Sequence, residues 1–445
     1  MNGGVGAELR QIEAQILARR PEHSIDPSLD RMADLVHLLG DPHRAYPVIH
    51  LTGTNGKGST ARLLTELLLA QGLTVGTYTS PNLATVNERL TRNGEPVDDD
   101  ELAELLESLR LLEGMTSAPP SRFELLTAAA FRFFADSPVD VAVVEVGLGG
   151  RWDATNVADG DVVAVTNVSY DHVEALGPTL HDIAGEKSGI VKPGSHLVVG
   201  ETDPDLAQVF VDAADRLGAR AVWRRGPDFD CDVNQLAVGG RLIGLRTPGA
   251  AYEELYLPLH GAHQGDNAAL AVACAEAFFG APLAEDTVAA ALSATRVPGR
   301  LEVVGRSPLV VLDGAHNVAG AQALAGALAE MHPEGGIVGV VGMLHGRDPS
   351  AVFQALAAGG VRTVVSCTAP SPRAIPAGEL AEAARAVGLQ AQATDSALDA
   401  LTLALGRAGA EDTVVVTGSL YVVAEARSRL VTAGDTGSGS AGRRR

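Results

Sequence analysis

The segment Leu51-Thr-Gly-Thr-Asn-Gly-Lys-Gly-Ser-Thr60 constrains this chain more than any other. It follows a short apolar run, Val48–Thr52, and opens a longer amphipathic one from Thr60 to Gln71. A buried strand that turns through glycines into a helix brings backbone amides together at a helix N-terminus, where they converge on an anion. Gly53, Gly56 and Gly58 permit that turn, Lys57 offers a point charge to the outer phosphate oxygens of a nucleotide, and Ser59 offers a hydroxyl to Mg²⁺. The spacing departs from G-x-x-x-x-G-K-[ST], since position 51 is Leu and Gly58 separates Lys57 from Ser59. The alternative is a glycine turn without a ligand; the flanking strand and helix favour a nucleotide phosphate loop.

From Val48 onward, short β-branched runs alternate with longer amphipathic ones. Val48–Thr52, Thr74–Thr79, Val139–Glu145 and Val162–Asn167 read as buried strands, and Thr60–Gln71, Glu101–Leu112 and Phe123–Ala135 as helices. Such alternation predicts a mostly parallel sheet covered on both faces. Ahead of it, Ala7–Leu39 reads as one or two helices, and residues 229–259 as an antiparallel appendage punctuated by Gly and Pro. A second α/β series begins after Val297-Pro298-Gly299, with strands at Leu309–Leu312, Ile337–Val341, Thr363–Cys367 and Thr413–Thr417. Its helices are Ala319–Met331, Ser350–Ala358, Ala377–Val387 and Tyr421–Leu430. The expected architecture is α/β, with a P-loop-type, mostly parallel sheet domain at 1–297 and a second, smaller Rossmann-like α/β domain at 298–431. The two are expected to meet in a ligand cleft, and 432–445 to form a disordered Gly/Ser-rich tail.

Composition removes several function classes. Among 445 residues, three cysteines stand without a CxxC pair, which excludes a disulfide framework or zinc knuckle and fits a reducing cytoplasm. The net charge of −21 opposes binding to a phosphodiester backbone, so nucleic acid is not an expected partner. No apolar stretch approaches membrane length, and the first residues contain no apolar signal core. The expected molecule is cytoplasmic and acts on small molecules.

Three further segments carry chemistry. Glu145 closes an apolar strand, where a Mg²⁺ ligand would sit; the alternative is a solvated strand-end acid. His172, in Thr166-Asn-Val-Ser-Tyr-Asp-His172, lies beyond another strand end and reads either as a second metal ligand or as a packed residue. Lys187, in Ile183-Ala-Gly-Glu-Lys-Ser-Gly-Ile190, reads from spacing alone as a helix-surface cation paired with Glu186. If it lay against metals, its charge would have to be removed or inverted, and carbamylation by CO₂ would invert it.

Taken together, TGTNGKGST at 52–60, TSPNL at 79–83, NERL at 87–90, FELLT at 123–127 and EVGLGGRWDATN at 145–156 resemble one family. DH at 171–172, IAGEKSGIVKPG at 183–194, GAHQGDNAALA at 261–271, PGRLE at 298–302, LDGAHN at 312–317 and TGSLY at 417–421 extend the likeness over Val48–Leu430. The sequence is similar to the folylpolyglutamate synthase/dihydrofolate synthase branch of the Mur ligases. That resemblance implies an ATP-dependent, ADP-forming ligase that adds L-glutamate to dihydropteroate or to reduced folates, works in the cytoplasm and is a monomer.

The resemblance also implies roles for individual residues. Gly53, Thr54, Asn55, Gly56, Lys57, Gly58, Ser59 and Thr60 would hold ATP, with Asn267, Arg300, Asp313 and His316. One Mg²⁺ would take Ser59 and Glu145, and a second Glu145, His172 and a carbamate on Lys187. Lys57, His172 and Lys187 would be catalytic, and Ser121, Phe123, Trp152, Asp153 and Ala154 would hold the pterin. Asn82 and His196 depart from the family pattern, which has His and Pro there. Two alternatives stand beside this reading. A peptidoglycan Mur ligase would need a UDP-sugar domain, which the 52 residues before Gly53 are too few to form. A phosphate-loop switch would not require Arg300 and Asp313 on a second domain.

Overall fold

The computed structural model describes residues 28–116, 118–331 and 335–431. The chain forms two compact units, one reaching to Pro258 and including Gln264–Arg296, the other comprising Leu259–His263 and the chain from Val297.

The first unit is built on eight strands: β1 (Val48–Thr52), β2 (Val75–Tyr78), β3 (Leu90–Arg92), β4 (Glu95–Pro96), β5 (Val141–Glu145), β6 (Val162–Val165), β7 (His196–Val199) and β8 (Ala221–Arg224). Their order is β4-β3-β2-β5-β1-β6-β7-β8. Pairing is parallel from β2 to β8 and antiparallel at one edge, where β3 pairs with β2 and β4 with β3. Every residue of β1, β5 and β6 is buried, the signature of central strands covered on both faces. The register pairs Leu51 with Glu145 and Thr52 with Val165. The phosphate loop therefore leaves the sheet beside Glu145, at the carboxyl ends where α/β sheets bind ligands.

Helices cover this sheet through specific close approaches. At Gly76 of β2, a Cβ would lie 2.6 Å from the Phe134 ring, so the missing side chain lets the Arg122–Asp136 helix sit directly on the strand. That helix starts with a capping box: Glu124 N–H donates to Ser121 Oγ at 3.2 Å, and Ser121 N–H donates to Glu124 Oε2 at 2.6 Å. Arg31, on the Asp30–Leu38 helix, pairs with the same Glu124 at 3.0 Å and ties that helix to the layer.

A separate three-stranded antiparallel sheet, β9 (Asp230–Ala237), β10 (Gly240–Arg246) and β11 (Ala251–Leu257), belongs to the first unit. The second unit carries β12 (Glu302–Arg306), β13 (Leu309–Leu312), β14 (Ile337–Val341), β15 (Val361–Cys367), β16 (Gln390–Thr394) and β17 (Thr413–Thr417). Their order is β12-β13-β17-β14-β15-β16, parallel except for β12. Among the described residues, no helix is long and apolar enough to cross a membrane.

The strands and helices expected from apolar runs occur within a few residues of their expected bounds. Of the helical expectation for Ala7–Leu39, the structure describes Asp30–Leu38 as helix; residues before 28 and the expected tail lie outside the described residues.

Candidate active site

The phosphate loop is held from below by the segment that follows β6. Thr54 N–H donates to Asn167 O at 2.9 Å and Asn55 N–H to Asn167 Oδ1 at 3.0 Å. The Asn55 carbonyl accepts from Thr166 Oγ1 at 2.6 Å and from Asn167 Nδ2 at 3.0 Å. Gly53 has φ +145°, and a Cβ there would lie 1.8 Å from Thr166 Oγ1. Gly56, in the left-handed region at φ +87°, caps the Lys57–Ala70 helix; a Cβ on it would meet Asn267 Oδ1 at 2.5 Å. Glycine is required at both places for space as well as for conformation.

Both predicted lysines converge on this loop. Lys57 Nζ donates to Gly53 O at 3.1 Å and to Thr54 O at 3.3 Å, while Lys187 Nζ donates to the same Gly53 carbonyl at 2.7 Å. Lys187, the last residue of the Leu180–Lys187 helix, is only 3 % exposed, which overturns its reading as a surface cation paired with Glu186. Burial pushes its ammonium down to about 7, and Lys57 acts in the same direction; Asp171, Asp153 and Glu186 offset this only in part. A large fraction of neutral amine at neutral pH is the physical consequence.

Glu145 is buried, accepts from Ser80 N–H at 3.1 Å, and faces the first helical turn, with Oε2 3.5 Å from where a Gly58 Cβ would be. Ser59 is buried in that turn, and His172 stands in the left-handed region at φ +50° with its ring 3.8 Å from Asp171. Among the described residues, no three His, Cys, Asp or Glu side chains cluster as a metal site. The predicted set contains only two residues of those types, so it does not depend on such a cluster. The carboxylate and the hydroxyl supply the oxygen donors that Mg²⁺ prefers, with the imidazole as a nitrogen donor beside them; an ammonium at Lys187 does not suit it, whereas the neutral amine can be converted to an oxygen donor.

Residues 51–275 match the model of the Mur ligase middle domain, and residues 299–420 that of the Mur ligase glutamate ligase domain. The chain is 39 % identical to the dihydrofolate synthase/folylpolyglutamate synthase of Mycobacterium tuberculosis, over 95 % of this chain and 94 % of that one. The chain belongs to this branch of the Mur ligase family. Its fold matches the M. tuberculosis folylpolyglutamate synthase complexed with ADP at a TM-score of 0.91 and 39 % identity, covering 96 % of this chain and 99 % of that one. A bifunctional folylpolyglutamate synthase/dihydrofolate synthase with Mn, AMPPNP and L-glutamate bound matches at 0.84 and 30 % identity, covering 97 % and 100 %. As a Mur ligase, the chain is an ATP-dependent ligase of folate metabolism.

The remaining predicted residues of this Mur ligase fall into two groups. In the second unit, Arg300, Asp313 and His316 come together at the end of β13. Asp313 accepts from Leu301 N–H and Ala315 N–H, each at 2.9 Å; His316 Nδ1 donates to Gly314 O at 2.8 Å, and Arg300 lies over Gly314, which has no Cβ. In the first unit, Phe123 is buried against Gly147 and Tyr78, Ser121 caps the Arg122–Asp136 helix, and Ala154 is buried. Trp152 is 40 % exposed. Asp153 uses its carboxylate to organise its own loop, accepting from Leu148 N–H at 2.9 Å and Thr155 N–H at 3.0 Å.

Ser80 and His50 escaped the sequence reading, and Asn82 stood there only as a departure from the family pattern. Ser80 touches Glu145 through its amide, and TSPNL was its only signal. Asn82 Oδ1 accepts from the buried Arg89 Nε at 2.8 Å, so the departure from the family pattern is held by its own partner. His50, wholly buried on β1, extends the Asp153 network: Thr155 Oγ1 donates to Asp153 at 2.5 Å, so His50 Nε2, 2.8 Å from that hydroxyl, is the donor to it.

This network gives a pH prediction. Burial pushes His50 down to about 3, with Lys192 acting in the same direction, so the native protein holds it neutral. Its contribution is complete above pH 6.5 and is lost as pH falls from there toward 3, on the order of 3 kcal/mol by pH 4. Asp153, pushed up to about 6 by burial, takes up a proton in the native state and works in the opposite sense. Urea unfolding at pH 7 and pH 4 should therefore show a larger loss in wild type than in His50→Gln, which retains Asp153. Equal losses would show that His50 does not charge on unfolding.

Proposed function

We propose that this ligase joins L-glutamate both to dihydropteroate and to reduced folates, through an acyl phosphate and at one site. The observation that carries the reading is the pair of lysines on the Gly53 carbonyl. A phosphate loop with one lysine serves any nucleotide hydrolase. A second lysine, buried against the same loop and poised to lose its proton, has no use in a simple switch. It suits a site that must accommodate a phosphoryl group and then an acyl phosphate.

A carboxylate is a poor acyl donor until the γ-phosphoryl group of ATP is transferred to it. The amine of glutamate then attacks the acyl carbon, and phosphate leaves from the tetrahedral intermediate. Lys57 and the amides from Gly56 to Ser59 hold the phosphates, on a loop that Gly53, Thr54, Asn55 and Thr60 shape; Ser59, Glu145, His172 and a carbamate on Lys187 are the residues that would hold two Mg²⁺. When bound, the ions neutralise charge on the transferring group. Asn267 in the first unit and Arg300, Asp313 and His316 in the second are assigned to ATP. Ser121, Phe123, Trp152, Asp153 and Ala154 are assigned to the pterin. The names of the relatives and the glutamate and Mn in one of their structures support these roles. We assign the ATP-binding domain to 1–297 and its partner to 298–431, and place the enzyme in the cytoplasm as a monomer. The net charge of −21 supports small-molecule substrates over nucleic acid.

Purified protein assayed with ATP, Mg²⁺ and L-glutamate should release ADP with dihydropteroate and with tetrahydrofolate. Turnover with one substrate alone would remove the dual activity. ADP release that ignores glutamate would overturn the ligase in favour of a switch.

A further inference from the structure

Gln264 lies on the first turn of the His263–Phe279 helix and is wholly buried, yet its amide meets two residues of the nucleotide site. Its Nε2 faces Ser59 Oγ at 3.5 Å, across 205 positions of sequence, and its Oε1 accepts from Asn267 Nδ2 at 3.0 Å. Asn267, one turn further along, presses its Oδ1 against Gly56. Ser59 and Asn267, assigned to Mg²⁺ and ATP, are thus joined through one buried amide.

The neighbouring residues fix this amide in place. A Cβ on Gly265 would lie 2.4 Å from Asn234 Nδ2 and 2.7 Å from Cys231 Sγ, so the helix start is seated directly on β9. Asp266 pairs with Arg225 at 2.6 Å. On this seated helix start, burial and the bond from Asn267 hold the Gln264 amide facing Ser59. An amide is the side chain that meets both demands, donating from nitrogen and accepting at oxygen. A donor on one lone pair of Ser59 leaves the other for a metal and turns the hydroxyl hydrogen away from Gln264.

We propose that Gln264 is a positioning residue that orients Ser59 toward Mg²⁺ and Asn267 toward the nucleotide as one linked unit. This rests on the assignment of Ser59 to Mg²⁺. Partners of metal ligands typically contribute 10- to 100-fold in metal affinity, and roughly that loss is expected here.

The test is a cycle of wild type, Gln264→Leu, Ser59→Ala and the double variant, read by calorimetric ADP binding over a Mg²⁺ titration, with turnover measured alongside. Gln264→Leu should raise the Mg²⁺ needed to support ADP binding by roughly 10- to 100-fold while leaving the KM for folate unchanged. In the Ser59→Ala background the same substitution should have little effect on the Mg²⁺ requirement. Additive effects would overturn the coupling while leaving the Ser59 assignment standing. An unchanged Mg²⁺ requirement in Ser59→Ala alone would overturn that assignment and the proposal with it. Should Gln264→Leu fail to fold, the cycle is run with Gln264→Met, which has nearly the same length and volume but no donor for Ser59; a wild-type Mg²⁺ response there overturns the proposal.

Discussion

Lys57→Ala should abolish ligation while the protein remains folded. Two effects act together. In the proposed function the ammonium is a preorganised positive charge beside the transferring phosphoryl group, and removing one such group typically costs ~10²–10³ in kcat. It also bonds the Gly53 and Thr54 carbonyls, so the curvature of the loop itself relaxes when it is removed. The fold should survive because Lys57 is only half-buried and contributes nothing to the apolar core. The measurement is glutamate-dependent ADP release, with circular dichroism and thermal unfolding as the control. A folded variant with turnover near wild type would remove Lys57 from the phosphate site.

The parts of this fold that could be read from sequence are those where one strand satisfies all its neighbours with apolar residues. Val48–Thr52, Val141–Glu145 and Thr413–Thr417 are central parallel strands buried throughout, so the run of residue types and the structure report the same thing. Edge strands were not legible: β16 has no buried residue in Gln-Ala-Gln-Ala-Thr, and its strand state comes from pairing with β15. The His263–Phe279 helix is alanine-rich and buried on most faces, so it lacks the one-sided apolar stripe that marks a surface helix.

The site divides in the same way. Gly53, Gly56 and Lys57 were legible because a phosphate loop is local, with every part inside ten residues. The clamp from Thr166 and Asn167 onto Asn55 and the contact of Gln264 with Ser59 were not, because the partners lie more than a hundred positions apart. Spacing placed Lys187 on a helix and could say nothing about what that helix end is pressed against.

Lys187 is where this difference has the greatest consequence. Its amine is buried on the Gly53 carbonyl, beside Lys57, and burial holds it near pH 7. In the proposed site, leaving it a cation would set two ammonium charges and two Mg²⁺ around one phosphate loop, whereas a carbamate would put an oxygen donor on the same stem. CO₂ reacts with the neutral amine: the nitrogen lone pair attacks carbon, an N–C bond forms as one C=O π pair moves onto oxygen, and one N–H proton is released. A low pKa therefore favours the reaction at physiological pH. Lys187→Ala should lose most activity, about 10²-fold or more in kcat by the scale of single preorganised groups. Part of that activity should return when a short carboxylate such as acetate fills the vacated space. Lys187→Arg should stay inactive without rescue, because a guanidinium keeps its charge and does not take up CO₂. In wild type, ¹³CO₂ should label the chain at this residue. An unlabelled, fully active enzyme, or full activity in Lys187→Arg, would show that Lys187 acts as a cation, and the second metal position would then have to be built without it.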